Sequence, residues 1–141
     1  MLNRLLNRFY LNNHPEGEVP AAVKRGVVLL YLALIIQMAN NWIDGIHVFE
    51  FITELLLAIY IIFATGEGRK WARIVALIFI ILNVMSFIWA AITFFRTNPA
   101  VKISSLVMGV FLVEILLEVA AITMLFSKSA NTWFNRPRVT L

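Results

Sequence analysis

Residues 101–126 read VKISSLVMGVFLVEILLEVAAITMLF, an apolar run long enough to cross a bilayer that carries two carboxylates, Glu114 and Glu118, near its middle. Four residues separate the two acids, so on a helix they share one face. Each Leu, Ile, Phe or Val favours insertion by about 0.3–0.6 kcal/mol, and a central acid opposes it by about 2.5–3.5 kcal/mol. About fifteen strongly apolar residues therefore contribute roughly 4–9 kcal/mol against roughly 5–7 for the two acids. A helix this finely balanced does not stand alone in lipid with its acidic face exposed. It needs neighbouring helices, protonation or a bound cation.

The rest of the chain supplies the neighbours. With 141 residues, 61% of them hydrophobic and 14% charged, and a mean hydropathy of +0.84, the composition is that of a membrane protein. Four apolar runs, at about 26–43, 46–65, 71–95 and 101–126, occupy a single transmembrane domain over 26–126 and leave no stretch for a soluble core. The expected fold is an all-α bundle of four transmembrane helices. Residues 1–25 form a cytoplasmic N-terminal segment in which Leu2, Leu5, Leu6 and Phe9 oppose Asn3, Arg4, Asn7 and Arg8, the pattern of a short amphipathic interfacial helix. The first run has the length of a signal peptide, but 25 residues precede it and no small-residue cleavage site follows, so it is read as retained. Asp44 is placed to cap the second span, Asn98 and Pro99 to open the fourth, and residues 127–141 read as a basic cytoplasmic tail with Trp133 and Phe134 at the membrane interface.

Charge sets the expected orientation. Arg4, Arg8, Lys24, Arg25, Arg69, Lys70, Arg73, Lys128, Arg136 and Arg138 fall on one side of a four-span topology, with only Arg96 and Lys102 on the other. The positive-inside rule then places both termini in the cytoplasm. Basic residues that flank apolar runs call for anionic lipid headgroups and not for nucleic acid. The compact basic turn GEGRKWAR, residues 66–73, offers Arg69, Lys70, Trp71 and Arg73 for that contact. The absence of cysteine removes disulfide, thiolate and iron–sulfur chemistry. His14 and His47 both lie at span ends, which excludes a bis-histidine haem inside the bundle, and no cofactor is expected.

The membrane acids are the only strong candidates for a site. From outside inward, Asp44, Glu50, Glu54, Glu114 and Glu118 form a rough ladder without a deep Lys or Arg to neutralise it. Such carboxylates act either as structural glue, bonded to Asn83, Ser86, Asn40 or backbone carbonyls, or as a path or site for a proton or cation. Glue is the preferred reading, and Glu54, Glu114, Glu118, Asn83 and Ser86 are the candidate polar or ion site. Glu50 and Glu54 repeat the one-turn spacing of Glu114 and Glu118, but they lie at a different depth, which argues against a duplicated hairpin. Asp44, His47 and Glu50 cluster at the outer mouth, a spacing too unspecific to name a metal, and a solvated helix start accounts for it. Ser105 and Gly109, one turn apart and turned away from Glu114, make a small-xxx-small pair suited to contact with a second copy. No nucleophile–base pair is present, so an enzyme is not expected.

The segments PAAVKRGVVLLYLALII, GEGRKWARIVALIF and MLFSKSANTWF together resemble uncharacterised small bacterial inner-membrane proteins with four spans, a resemblance that covers nearly the whole chain. It implies a multi-pass protein of the bacterial inner membrane and transfers no site residue. Small multidrug exporters also have four helices and a membrane Glu, but theirs lies in the first span, where this chain has none. The expected function is an oligomeric accessory, sensor or immunity-type subunit that acts through a partner membrane protein or lipids. The alternative is a small proton or cation channel or transporter that uses Glu54, Glu114 and Glu118.

Overall fold

The computed structural model describes residues 15–43, 45, 47–96 and 104–138. Four long helices, α1 (Ala21–Ile43), α2 (Val48–Gly66), α3 (Lys70–Phe95) and α4 (Ser105–Leu125), are each long and apolar enough to cross a membrane. A short fifth helix, α5 (Lys128–Phe134), follows, and there is no strand among the described residues. The chain is a multi-pass, all-α membrane protein. The interfacial helix expected over residues 1–13, the Asp44 cap and the Asn98–Pro99 start lie outside the described residues.

Local chemistry fixes the helix ends. Pro20 opens α1 five residues before the expected start, and its carbonyl accepts from the amides of Val23 (3.0 Å) and Lys24 (3.1 Å). Between α1 and α2 the chain reverses through Gly45, whose φ of +78° is left-handed. The fourth span starts later than expected, because Ser104 is extended (φ −71°, ψ 147°) and its hydroxyl accepts from the Val107 amide at 3.2 Å. Ser127 caps α5 in the same way through Ala130 N (3.4 Å).

Each long helix packs on its neighbours in sequence, and α4 closes the ring against α1 in the most extensive contact of the bundle. Gly26 permits that contact: a Cβ there would lie 2.9 Å from Leu125 Cγ and 3.2 Å from the Ala121 carbonyl oxygen. Val23, Leu30, Leu34 and Met38 of α1 meet Ala121 and Leu125 of α4 in the core, with Ile62 and Ile80 completing it from α2 and α3. Large apolar side chains such as Phe49, Trp89 and Phe95 point outward, as lipid-facing positions do.

α5 corrects the reading of Trp133 and Phe134 as interface residues. Ala130, Trp133 and Phe134 recur at helical spacing, so one face of α5 is apolar and folds back against the ends of α1 and α4. Trp133 and Phe134 are accordingly 2% and 1% exposed, inside the protein and not in the lipid belt. The segments outside the helices cover the same end: Glu16 N donates to Pro137 O (3.1 Å), and Arg136 Nη1 donates to Glu16 O (3.1 Å). This end carries Lys24, Arg25, Lys70 and Lys128 and is called the basic end below.

Candidate functional site

The membrane acids are held by amides in two arrangements that mirror each other. Between α3 and α4, one amide serves two acids: Asn83 Nδ2 donates to Glu114 Oε1 (2.8 Å) and Glu118 Oε2 (3.0 Å). The one-turn spacing of the acids makes this possible, because it stacks two carboxylates over a single side chain of the facing helix. Both acids are buried, Glu114 at 2% exposure and Glu118 at 9%. Between α1 and α2, one acid is served by two amides: Gln37 Nε2 donates to Glu54 Oε1 (3.2 Å) and Asn41 Nδ2 to Glu54 Oε2 (3.1 Å). Here the one-turn pair, Gln37 and Asn41, belongs to the donors.

Asn83, Glu54, Glu114 and Glu118 therefore form two polar ties. Ser86 does not join them, since its hydroxyl donates to Leu82 O of its own helix (3.0 Å). That bond satisfies the hydroxyl locally, as is common for serine within a helix. Gln37 and Asn41 were absent from the candidate set drawn from the sequence, although their four-residue spacing in the first span carried the same signal as the paired acids.

A cavity of about 270 Å³ joins the two ties. Gln37, Glu54, Asn83, Ser86 and Glu118 supply its polar wall, while Leu30, Leu34, Ile61, Ile62, Ala76 and Ile80 supply most of its apolar wall. Asp44 lies outside the described residues; Glu50 is exposed, as is His47, which precedes α2 without a side-chain capping bond. Among the described residues, no three His, Cys, Asp or Glu side chains converge to hold a metal ion.

The basic turn divides. Lys70 and Trp71 are exposed, Trp71 with its ring 5.9 Å from that of Tyr60, and both are available to headgroups. Arg73 is not, which corrects its reading as a lipid contact. As the fourth residue of α3 it faces the bundle at 8% exposure, donates to Leu125 O (3.1 Å) and Asn131 Oδ1 (2.6 Å), and lies over the rings of Phe126 (4.4 Å) and Phe134 (4.3 Å). Asn131 Nδ2 in turn donates to Phe126 O (2.9 Å), so Arg73 fastens α5 to the end of α4. Gly109 faces open space: a Cβ there meets nothing within 4 Å, and with Ser105, Ile36, Leu106, Val110 and Val113 it lines a shallow groove of about 390 Å³.

Carboxyl groups that accept from amides beside an apolar cavity can fasten helices or bind a ligand. No protein-family model, curated protein or solved structure matches this chain.

Proposed function

We propose that this chain is a small multi-pass subunit of a bacterial inner membrane, with both termini in the cytoplasm, that acts as an accessory, sensor or immunity-type component through protein or lipid partners and works as a homo-oligomer. The observation that carries this reading is that Glu54, Glu114 and Glu118 each accept from amides of the neighbouring helix. Acids that tie neighbouring helices serve the scaffold, and contact with protein or lipid partners falls to the surface. On that surface, the groove at Gly109 suits a second copy, and Lys70 and Trp71 suit anionic headgroups.

A second reading, a small proton or cation channel or transporter, is favoured by the cavity that reaches both Glu54 and Glu118. Gradient-driven dye assays on protein in liposomes separate the two. The wild type is expected to match empty vesicles. Gln keeps a carbonyl oxygen that accepts from Asn83, so the Glu114→Gln, Glu118→Gln variant is expected to assemble normally. Wild-type flux that vanishes in that assembled variant would replace the subunit reading with the channel.

A further inference from the structure

The cavity between the two polar ties is walled by hydrocarbon and by two carboxyl side chains from different helices. At 1.5 Å rise per residue, its walls from Leu30 to Gln37 and from Ala76 to Ser86 extend about 10 and 15 Å. Glu54 lines it near Gln37 and Glu118 near Asn83, with aliphatic side chains making up most of the remaining wall. Leu57, Phe79 and Leu82 form part of the wall and are each about half exposed (48%, 49% and 54%), so the cavity opens sideways between α2 and α3 toward lipid.

We propose that this cavity binds a small lipophilic organic monocation, with the cationic head between Glu54 and Glu118 and the apolar part against Leu34, Ile61 and Ile80. Charge selects the sign: no Lys or Arg lines the cavity, and two carboxylates do. Glu118 is nine-tenths buried and uses only Oε2 to accept from Asn83, while Oε1 accepts nothing among the described residues. An inorganic divalent cation is a poor match, because calcium requires six to eight oxygens and most of this wall is hydrocarbon. A volume just under the roughly 300–1,000 Å³ of drug-sized sites limits the guest to a small molecule. The lateral opening selects one that reaches the site through the bilayer. The proposal concerns occupancy and not passage, so it holds or fails independently of the flux assay.

The test uses the full chain in phosphatidylcholine nanodiscs, radiolabelled benzyltrimethylammonium as the probe, and empty nanodiscs as the background. Saturable binding of one probe per chain is expected. The affinity should fall at least tenfold in Glu118→Gln and in Glu54→Gln, and Ala58→Phe, which fills the cavity while leaving both acids, should abolish it. The neutral isostere neopentylbenzene should compete at least tenfold more weakly than unlabelled cation. Three results would overturn the proposal: no saturable binding to monodisperse wild type, unchanged binding in an assembled Glu54→Gln, Glu118→Gln variant, or equal competition by the neutral isostere.

Discussion

Replacing Asn83 by Leu removes the one amide that satisfies two buried acids. Two donated bonds are lost, at 2.8 and 3.0 Å, and measured side-chain bonds in membranes are worth about 0.6–1.7 kcal/mol each, which gives roughly 1–3 kcal/mol. Leaving the acceptors of Glu114 and Glu118 unpaired at 2% and 9% exposure adds a desolvation cost of about 1–3 kcal/mol per group, so the variant should lose at least about 3 kcal/mol. The companion variant carries Asn83→Leu with Glu114→Leu and Glu118→Leu. Replacing all partners by apolar groups removes the stranded carboxyl groups with the bonds, and its stability should return to within about 1 kcal/mol of wild type. Unfolding from mixed micelles with increasing SDS, followed by helix content, measures both. The loss and its recovery must appear together. If Asn83→Leu costs less than about 0.5 kcal/mol, within the additivity error of independent sites, the tie does not hold α3 to α4.

Two glycines should behave oppositely. Gly26→Leu places a side chain against Leu125 and the Ala121 carbonyl and should lower SDS resistance by at least about 1–3 kcal/mol, as overpacking does, whereas Gly109→Leu should leave stability unchanged and reduce assembly size on gel filtration. An unchanged assembly size would remove the Gly109 face from the proposed oligomer contact. Reporter fusions at residues 45 and 98 should read outside and those at both termini inside, and a C-terminus found outside would overturn the proposed orientation. Arg73→Lys keeps the charge but cannot reproduce the planar stacking on Phe126 and Phe134 together with the bonds to Leu125 O and Asn131, so α5 should detach by about 1–2 kcal/mol. Faster trypsin cleavage at Lys128 would report the detachment, and an unchanged rate would show that Arg73 does not hold α5.

Span number and length were legible because hydrophobic length is a local property, and each apolar run became one helix. The helix starts were less so: Pro20 extends α1 past the charged Lys24 and Arg25, which are exposed and tolerated in its first turns, and α4 begins at a Ser104 cap that hydropathy does not mark. Depth and pairing were half legible. That Glu114 and Glu118 share a face followed from spacing, but their partner depends on which helices become neighbours. Asn83 was among several candidates, and Gln37 and Asn41 were missed. Gly109 looked like the close-approach glycine and Gly26 did not, because sequence gives a glycine's spacing but not what stands opposite it. Arg73 looked like a surface cation, and only the return of α5 over the basic end buries it.

The placement of the ties also resolves the insertion balance of the fourth span. Gln37 and Asn41 bond Glu54 across the α1–α2 hairpin, and Asn83 bonds Glu114 and Glu118 across the α3–α4 hairpin, so every tie lies within a hairpin of sequence-adjacent helices. Each hairpin can thus satisfy its acids as it enters the bilayer, before the two halves meet. The amide-bearing α3, the most hydropathic helix at 2.6, carries the finely balanced α4 with it. Association of the halves then needs no further polar group and rests on close packing, with Gly26 letting α1 and α4 approach. The opposite side of the ring, where α2 meets α3, is packed less extensively. The cavity remains there, between two hairpins whose polar groups are bonded within each hairpin.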